Sequence, residues 1–303
     1  MKSVYLIILD YNGHENTIQC LKSLKKAHQN NFDLHVLVID NFPENPINID
    51  TNDYADLKLE VIFNKENLGY AGGNNVGINY ALKNNADYIS ILNNDTLVDP
   101  NFLSELVKQS EEKGDGIFVP KIYFAKGFEF HKDRYSEKDL GKVIWYGGGK
   151  IDWENVYGSH KNVDEVDNGQ FNQIEFTDFA TGCCFLISKK IIEKIRGFDE
   201  DYFLYYEDID LSMKVKKLGF KIYFVPSSIV WHKNAGSSGG SGSVLQDYYI
   251  TRNRLIFGMR FAPLRAKLAL IRESIKILST GRKWQRKGIL DFYFHRLGKG
   301  SFK

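Results

Sequence analysis

Asn93, Asn94 and Asp95 stand directly behind an apolar run of strand character, Tyr88 to Leu92. A carboxylate among amides at such a strand end can hold a hard cation against a phosphate. The same residues also suit a plain strand-to-helix turn. A second acidic group, Glu207-Asp208-Ile209-Asp210, precedes a helix with Leu211, Val215 and Leu218 on one face. Helix capping accounts for acids there, but three carboxylates in four positions repel one another. Crowding and burial beside Tyr205 and Tyr206 would raise the proton affinity of one of them, and a raised pKa is what a general base needs. His232 follows Val230-Trp231, has no partner within helical reach, and reads on its own as structural. Asn67 to Asn75, containing Gly69, Gly72, Gly73 and Asn74, reads as a glycine-rich loop leading into a helix whose N–H groups could meet an anion. It fits neither the dinucleotide fingerprint nor a P-loop, and a tight turn is the alternative.

The elements that must position these groups alternate over the first 120 residues. Apolar strands are expected at Val4–Leu9, His35–Ile39, Leu59–Phe63, Tyr88–Leu92 and Ile117–Val119. Helices are expected with Ile18, Leu21 and Leu24 on one face, from about Asn75 to Lys83, and after Asp99-Pro100, with Asp99 as N-cap. This is the pattern of a nucleotide-binding α/β fold with right-handed crossovers. Four strand ends are polar: Asp10-Tyr11-Asn12, Asp40-Asn41, Asn64 to Asn67, and Asn93-Asn94-Asp95. In a parallel sheet all four lie along one edge, where open α/β folds bind ligands.

Residues 121–180 break the alternation and read as a mixed β insertion, with strands near Val143–Tyr146 and Ile174–Thr177, covering one side of the crevice. Thr181 to Ser188 then reads as a buried strand, Lys189 to Ile195 as a helix, and Ile222 to Val225 as a strand. The Gly/Ser-rich run 236–243 is expected to be a linker or a lid.

A chain of 303 residues with 43% hydrophobic and 14% aromatic content can bury a sizeable core. Three cysteines, two adjacent, make no disulfide framework, so a reducing compartment is the simplest inference. No apolar run approaches the roughly 18 to 20 residues that span a bilayer. The N-terminus reads as a strand, not a signal peptide, which points to the cytoplasm. The net charge of +2 hides an asymmetry: from Thr251 onward fourteen Lys/Arg face two acids, about +12, which leaves about −10 on the rest. The end of the chain, 246–303, reads as two or three basic helices. In one of them Leu264, Leu268, Ile271, Ile275 and Leu278 form an apolar stripe among Arg265, Lys267, Arg272 and Lys276. Such a helix suits an anionic membrane surface; packing on its own domain is the alternative. Nucleic acid is disfavoured, because no recognised binding module accompanies the basic residues.

In this order the motifs resemble the family 2 glycosyltransferases of the GT-A fold, in particular their bacterial rhamnosyltransferase-like members. The carrying residues are Leu9 to Gly13, Val38-Ile39-Asp40-Asn41, Asn67 to Gly77, Leu92 to Thr96, Thr181-Gly182, Gly197 to Asp210 and Trp231-His232. The resemblance spans about residues 1–260. It implies a Rossmann-like, mostly parallel sheet with helices on both faces in a domain 1–245, followed by a basic helical segment 246–303.

It also implies inverting transfer of a sugar from a nucleotide diphosphate donor to an acceptor hydroxyl, assisted by Mg²⁺ or Mn²⁺. Asp95 then corresponds to the main carboxylate ligand, with Asn93 in place of the usual first aspartate and His232 at a metal-binding position. Asp208 corresponds to the catalytic base, with Glu207, Tyr206 and Gly182 on the acceptor side. Tyr11, Asn12, Asp40, Asn94 and the glycine-rich stretch (Gly69, Gly72, Gly73, Asn74) fall on the donor side, Asp40 at the position that reads the base. Asp10 departs from the Asn or Thr usual at that strand end. The subgroup favours dTDP-L-rhamnose, then UDP-sugars, and a glycan or lipid-linked glycan acceptor at the inner face of the membrane. Two rivals are weaker. A sugar nucleotidyltransferase would need a basic, glycine-rich loop where Asp10 to Glu15 stand. An inactive nucleotide-sugar-binding scaffold is supported only by Asn93.

Overall fold

The structure is a computed structural model and describes residues 1–29, 31–234 and 242–302. Its centre is a twisted sheet whose first half is built from β1 (Lys2–Asp10), β2 (Phe32–Asp40), β3 (Glu60–Phe63) and β4 (Tyr88–Asn93), in the order β3-β2-β1-β4, all parallel. The nearly unbroken apolar sequences of β1, β2 and β4 are buried because helices cover both faces of the sheet. α1 (His14–Leu24) and α2 (Gly69–Lys83) make crossovers in this half, and α3 (Phe102–Lys113) packs on the strands beyond it.

The register Asp10↔Asp40 and Leu9↔Asn93 aligns the carboxyl ends of β1, β2 and β4. The polar residues at these ends therefore do share one edge. Thr96–Val98, directly after them, is a further short strand, β5. Asp99 does not cap α3 with its side chain. Its carboxylate accepts the Asn101 N–H at 2.8 Å and its carbonyl the Phe102 N–H, so a turn precedes the helix.

Beyond β4 the sheet continues through β6 (Gly116–Phe124), β11 (Cys184–Ser188) and β12 (Lys221–His232) in the order β4-β11-β6-β12. Only β11 among these runs against β4. β12 is longer than expected, because it continues through a bulge between Val225 and Ile229 and then pairs with β5. Within the insertion, β7 (Ile144–Tyr146) pairs with β6 and β10 (Glu175–Phe176) with β12, while β8 (Gly149–Asp152) and β9 (Tyr157–His160) form a separate hairpin. α4 (Lys189–Ile195) and α5 (Glu207–Lys217) follow β11.

Three helices end the chain: α6 (Val244–Phe261), α7 (Leu264–Thr280) and α8 (Lys283–Tyr293). No described helix is long and apolar enough to cross a membrane. Of the run 236–243, residues 236–241 lie outside the described residues. Ser243 caps α6, its hydroxyl accepting the Gln246 N–H.

Candidate active site

The edge formed by β1, β2 and β4 is tightly hydrogen-bonded. Asp10 is fully buried, and a buried carboxyl must find donors. It takes the Thr17 hydroxyl at 2.5 Å, the His14 ring at 2.8 Å and the Asn94 amide at 3.1 Å. Asn94, expected on the donor side, is thereby turned toward Asp10, Thr17 and Gly13. Both oxygens of the buried Asp40 accept backbone N–H groups, from Phe42 and Ile47. Asp40 thus shapes the loop that carries Phe42, whose ring meets Tyr11 edge-on with centroids 5.1 Å apart. Tyr11 and Asn12 are exposed, Asn12 in a left-handed conformation.

The glycine-rich stretch is not a loop. α2 begins at Gly69, and Gly72, Gly73 and Asn74 are buried inside it. The N–H groups at its start are already taken: Gly69 donates to the Asn67 side chain, while Tyr70 and Ala71 donate to the Phe203 carbonyl. An anion would have to displace those partners. The glycines serve close packing instead, since a Cβ on Gly69 would strike Phe203 and one on Gly73 would strike Leu9.

The antiparallel pairing of β5 with the end of β12 sets His232 opposite Thr96. This brings His232 Nε2 within 3.1 Å of Asp95 Oδ1. That separation suits an imidazole and a carboxylate that would share one divalent cation. His232 is buried and its Nδ1 meets no hydrogen-bond partner among the described residues. The insertion closes this corner with Trp145, packed against both His232 and His160. Burial pushes the His160 imidazole down to about 4, so the shell behind His232 is uncharged at neutral pH. No cluster of three or more His, Cys, Asp or Glu ligands occurs among the described residues. Asn93 contributes through its backbone: its N–H donates to the Cys183 carbonyl and its carbonyl accepts the Thr96 hydroxyl.

That Asn93–Cys183 bond links the Asp95 corner to Asp208. Gly182, next to Cys183, donates its N–H to Asp208 Oδ2 at 2.9 Å, and Ile209 donates to Asp208 Oδ1 at 2.8 Å. The Gly182 carbonyl in turn accepts the Tyr70 hydroxyl, so α2, β11 and α5 meet around one carboxylate. Burial raises the Asp208 pKa above its ordinary value, against the pull of these N–H donors. Glu207 is 5% exposed and is pushed up further, first by burial and then by the charge of Asp208. Its Oε2 has no partner among the described residues. Of the two, Glu207 keeps its proton longer, leaving Asp208 as the group that ionises. Asp210, the third acid, is structural and meets the Tyr202 hydroxyl, Arg260 and Lys214.

Ahead of α5, Phe203, Tyr205 and Tyr206 all have left-handed φ (63°, 70° and 74°), uncommon for large side chains. Two neighbours in α6 hold this segment. The Asn253 amide donates to the carbonyls of Tyr202, Leu204 and Tyr205, at 2.8–2.9 Å. The fully buried Arg252 donates to those of Asp201 and Tyr202. On the other side Asn75 bonds both the N–H and the carbonyl of Phe198. The Tyr206 hydroxyl donates to the Val156 carbonyl in the insertion. In the sequence Arg252 and Asn253 are only two polar residues near the start of the last segment. Polar side chains buried inside a helix rich in Tyr, Leu, Ile and Phe were the available signal.

The model for "Glycosyl transferase family 2" matches residues 5–196, well over half of the chain. The chain belongs to that family. Rhamnosyltransferase WbbL of Escherichia coli K12 is 24% identical over 236 residues, 74% of this chain and 81% of the relative. A low-salt glycan biosynthesis hexosyltransferase of Haloferax volcanii is 27% identical over 157 residues, 52% of this chain; the match spans about half of that relative's length, 46%. An N-acetylglucosaminyl-diphospho-decaprenol L-rhamnosyltransferase of Mycobacterium tuberculosis is 41% identical over 61 residues, 20% of either chain.

The fold is shared with GalNAc-T7, solved with UDP, GalNAc and Mn²⁺ (TM-score 0.60, 16% identity, 94% of this chain and 58% of that one). It is also shared with a Pyrobaculum calidifontis mannosyltransferase solved with GDP-mannose and Mn²⁺ (TM-score 0.53, 15% identity, 96% and 74%). The sheet described above is therefore the GT-A sheet. The family match ends at Ile195-Arg196, short of α5 and His232, so the geometry around Asp208 and His232 rests on this chain's own packing.

Proposed function

We propose that this family 2 glycosyltransferase moves a sugar, with inversion, from a nucleoside diphosphate donor to a hydroxyl of a cell-surface glycan precursor, with Asp208 as the base. The observation that carries the reading is the short bonded path from Asp95 through Asn93 and Cys183 to Gly182 and Asp208. It supports a donor gripped at one end of β4 and an acceptor deprotonated beside it. On this reading the nucleotide base lies against Tyr11, with Asn12 near the ribose. Asp95 and His232 would hold Mg²⁺ or Mn²⁺. When bound there, the cation supplies positive charge to the diphosphate oxygens.

The chain's own groups do the rest. Asp208, half-buried and fixed by two N–H groups, takes the proton of the acceptor hydroxyl as that oxygen attacks the anomeric carbon. The bond from that carbon to the diphosphate oxygen breaks, and the nucleoside diphosphate leaves with the electron pair. Holding both substrates in line contributes the orientation term. Glu207, whose burial favours the protonated form, lessens the negative charge beside the base and stands on the acceptor side with Tyr206 and Gly182.

L-Rhamnose from dTDP-L-rhamnose is the donor we favour, supported by the names of the E. coli and M. tuberculosis relatives; UDP-sugars come next. Thermal shift against a panel of nucleotide sugars with Mn²⁺ tests this choice, because a ligand of the folded state raises the melting temperature. The largest shift should come from dTDP-L-rhamnose, with slow release of dTDP. No release from any donor in the presence of Mn²⁺ would leave a binding protein and overturn the enzymatic reading.

A further inference from the structure

α7 presents two apolar faces where one would be enough to pack it. The inner face, Ala266, Leu270 and Ser274, is buried against α6 and α8. A second row, Leu264, Leu268, Ile271 and Ile275, faces outward with exposures of 72%, 60%, 38% and 61%. At 100° per residue the spacing of four, three and four keeps this row within about 60° of arc.

Basic residues flank the row on both sides. Arg265, Arg272 and Lys276 lie along one edge and Lys267 along the other. None of the four forms an ion pair among the described residues. The only acid of α7, Glu273, is neutralised by Arg254 at 2.8 Å, which also fastens the helix to α6. The outward surface of α7 is thus aliphatic at its centre and cationic at its margins, on a segment carrying about +12 while the rest of the chain carries about −10.

We infer that α7 is a membrane-surface helix that lays Leu264, Leu268, Ile271 and Ile275 into the interface of a bilayer containing anionic lipid. The four basic side chains would then sit at headgroup level. Charge complementarity selects this occupant: an apolar row alone would fit a protein groove equally well, but unpaired cations on both margins fit a surface that is negative in every direction. Only the helix face is used, in keeping with the absence of a spanning helix among the described residues. The inference does not depend on which sugar is transferred.

The full chain would be sedimented with phosphatidylcholine vesicles with and without about one third phosphatidylglycerol. Binding is expected to the anionic vesicles only, and to weaken at about 1 M salt, where screening acts within about 3 Å. Leu268→Gln with Ile275→Gln should lower the partition coefficient at least about tenfold, and Arg272→Gln with Lys276→Gln by a similar factor at low salt. All four positions are exposed, so melting temperature and donor hydrolysis should stay at wild-type values. Equal binding by wild type and the Leu268/Ile275 variant would overturn the inference, as would no binding to anionic vesicles. A lipid-independent dimer abolished by the Leu268/Ile275 variant, in a chain that ignores vesicles, would assign the row to a second copy instead.

Discussion

Replacing Asn253 by alanine should slow catalysis by distorting a segment that Asn253 holds at a distance from the chemistry. Three large residues ahead of α5 sit at positive φ, each costing on the order of 1 kcal/mol or more, so the segment stores about 3 kcal/mol of strain. The Asn253 amide has two hydrogens to share among three carbonyls, with a net worth of about 2 kcal/mol at roughly 1 kcal/mol per bond. The two quantities are similar, so without Asn253 the segment should relax, and Asp208 should move away from the Gly182 N–H.

For a chain of this size, about 2 kcal/mol lowers the melting temperature by roughly 3–4 °C. We expect kcat to fall at least about tenfold, the cost of about 1.4 kcal/mol in the barrier, with KM for the donor nearly unchanged because Asp95 and His232 are untouched. Loss of the Gly182 N–H, which favours the ionised form, would also raise the Asp208 pKa and move the acid limb of the pH–rate profile to higher pH. Steady-state kinetics across pH, paired with calorimetry, checks all three. A variant that melts lower but keeps the wild-type kcat and pH profile would refute the reasoning and make Asn253 a stability residue only.

Other substitutions should separate the remaining roles. Burial and the charge of Asp208 raise Glu207 above its ordinary value of 4.5 in the folded chain. The folded state then binds more protons than the unfolded one, so this group's contribution worsens as pH rises through that range. Glu207→Gln removes it: its melting temperature relative to wild type should climb as pH rises above 4.5, and a flat or falling difference would contradict the assignment. Asp95→Ala and His232→Ala should each weaken donor binding at least about tenfold in the presence of Mn²⁺ and remove most of its metal dependence, read by calorimetry. Wild-type kcat should fall on the acid side along a limb lying above 3.8, the ordinary value for Asp208, since burial raises that group.

Much of the frame was legible because β1, β2 and β4 are nearly unbroken apolar runs of the kind that a sheet covered on both faces buries, and in a parallel arrangement their polar ends share an edge. The acids at the start of α5 were legible for a similar reason: crowded carboxylates are costly unless something uses them. What the residues by themselves hide, apart from the family resemblance, is long-range pairing. Nothing local to His232 places it beside Asp95; the β5–β12 register does, across 136 residues of chain. The glycines at 69, 72 and 73 read as a loop or tight turn before a helix because local sequence cannot separate a glycine that opens the backbone to a ligand from one that lets a helix pack closely. The contact of the Asn94 amide nitrogen with Asp10, a buried carboxyl in need of donors, was likewise invisible in the sequence. Arg252 and Asn253 acquire a role only when α6 is laid against the segment before α5.

The most direct test of the account is single-turnover transfer by Asp208→Asn, measured beside donor affinity for the same protein. The variant keeps the shape of the side chain and lacks the basic oxygen, so transfer should drop by at least about a thousandfold while the donor binds with nearly wild-type affinity. Transfer within a few-fold of wild type would show that another group accepts the proton, and the assignment of the site would fall with it.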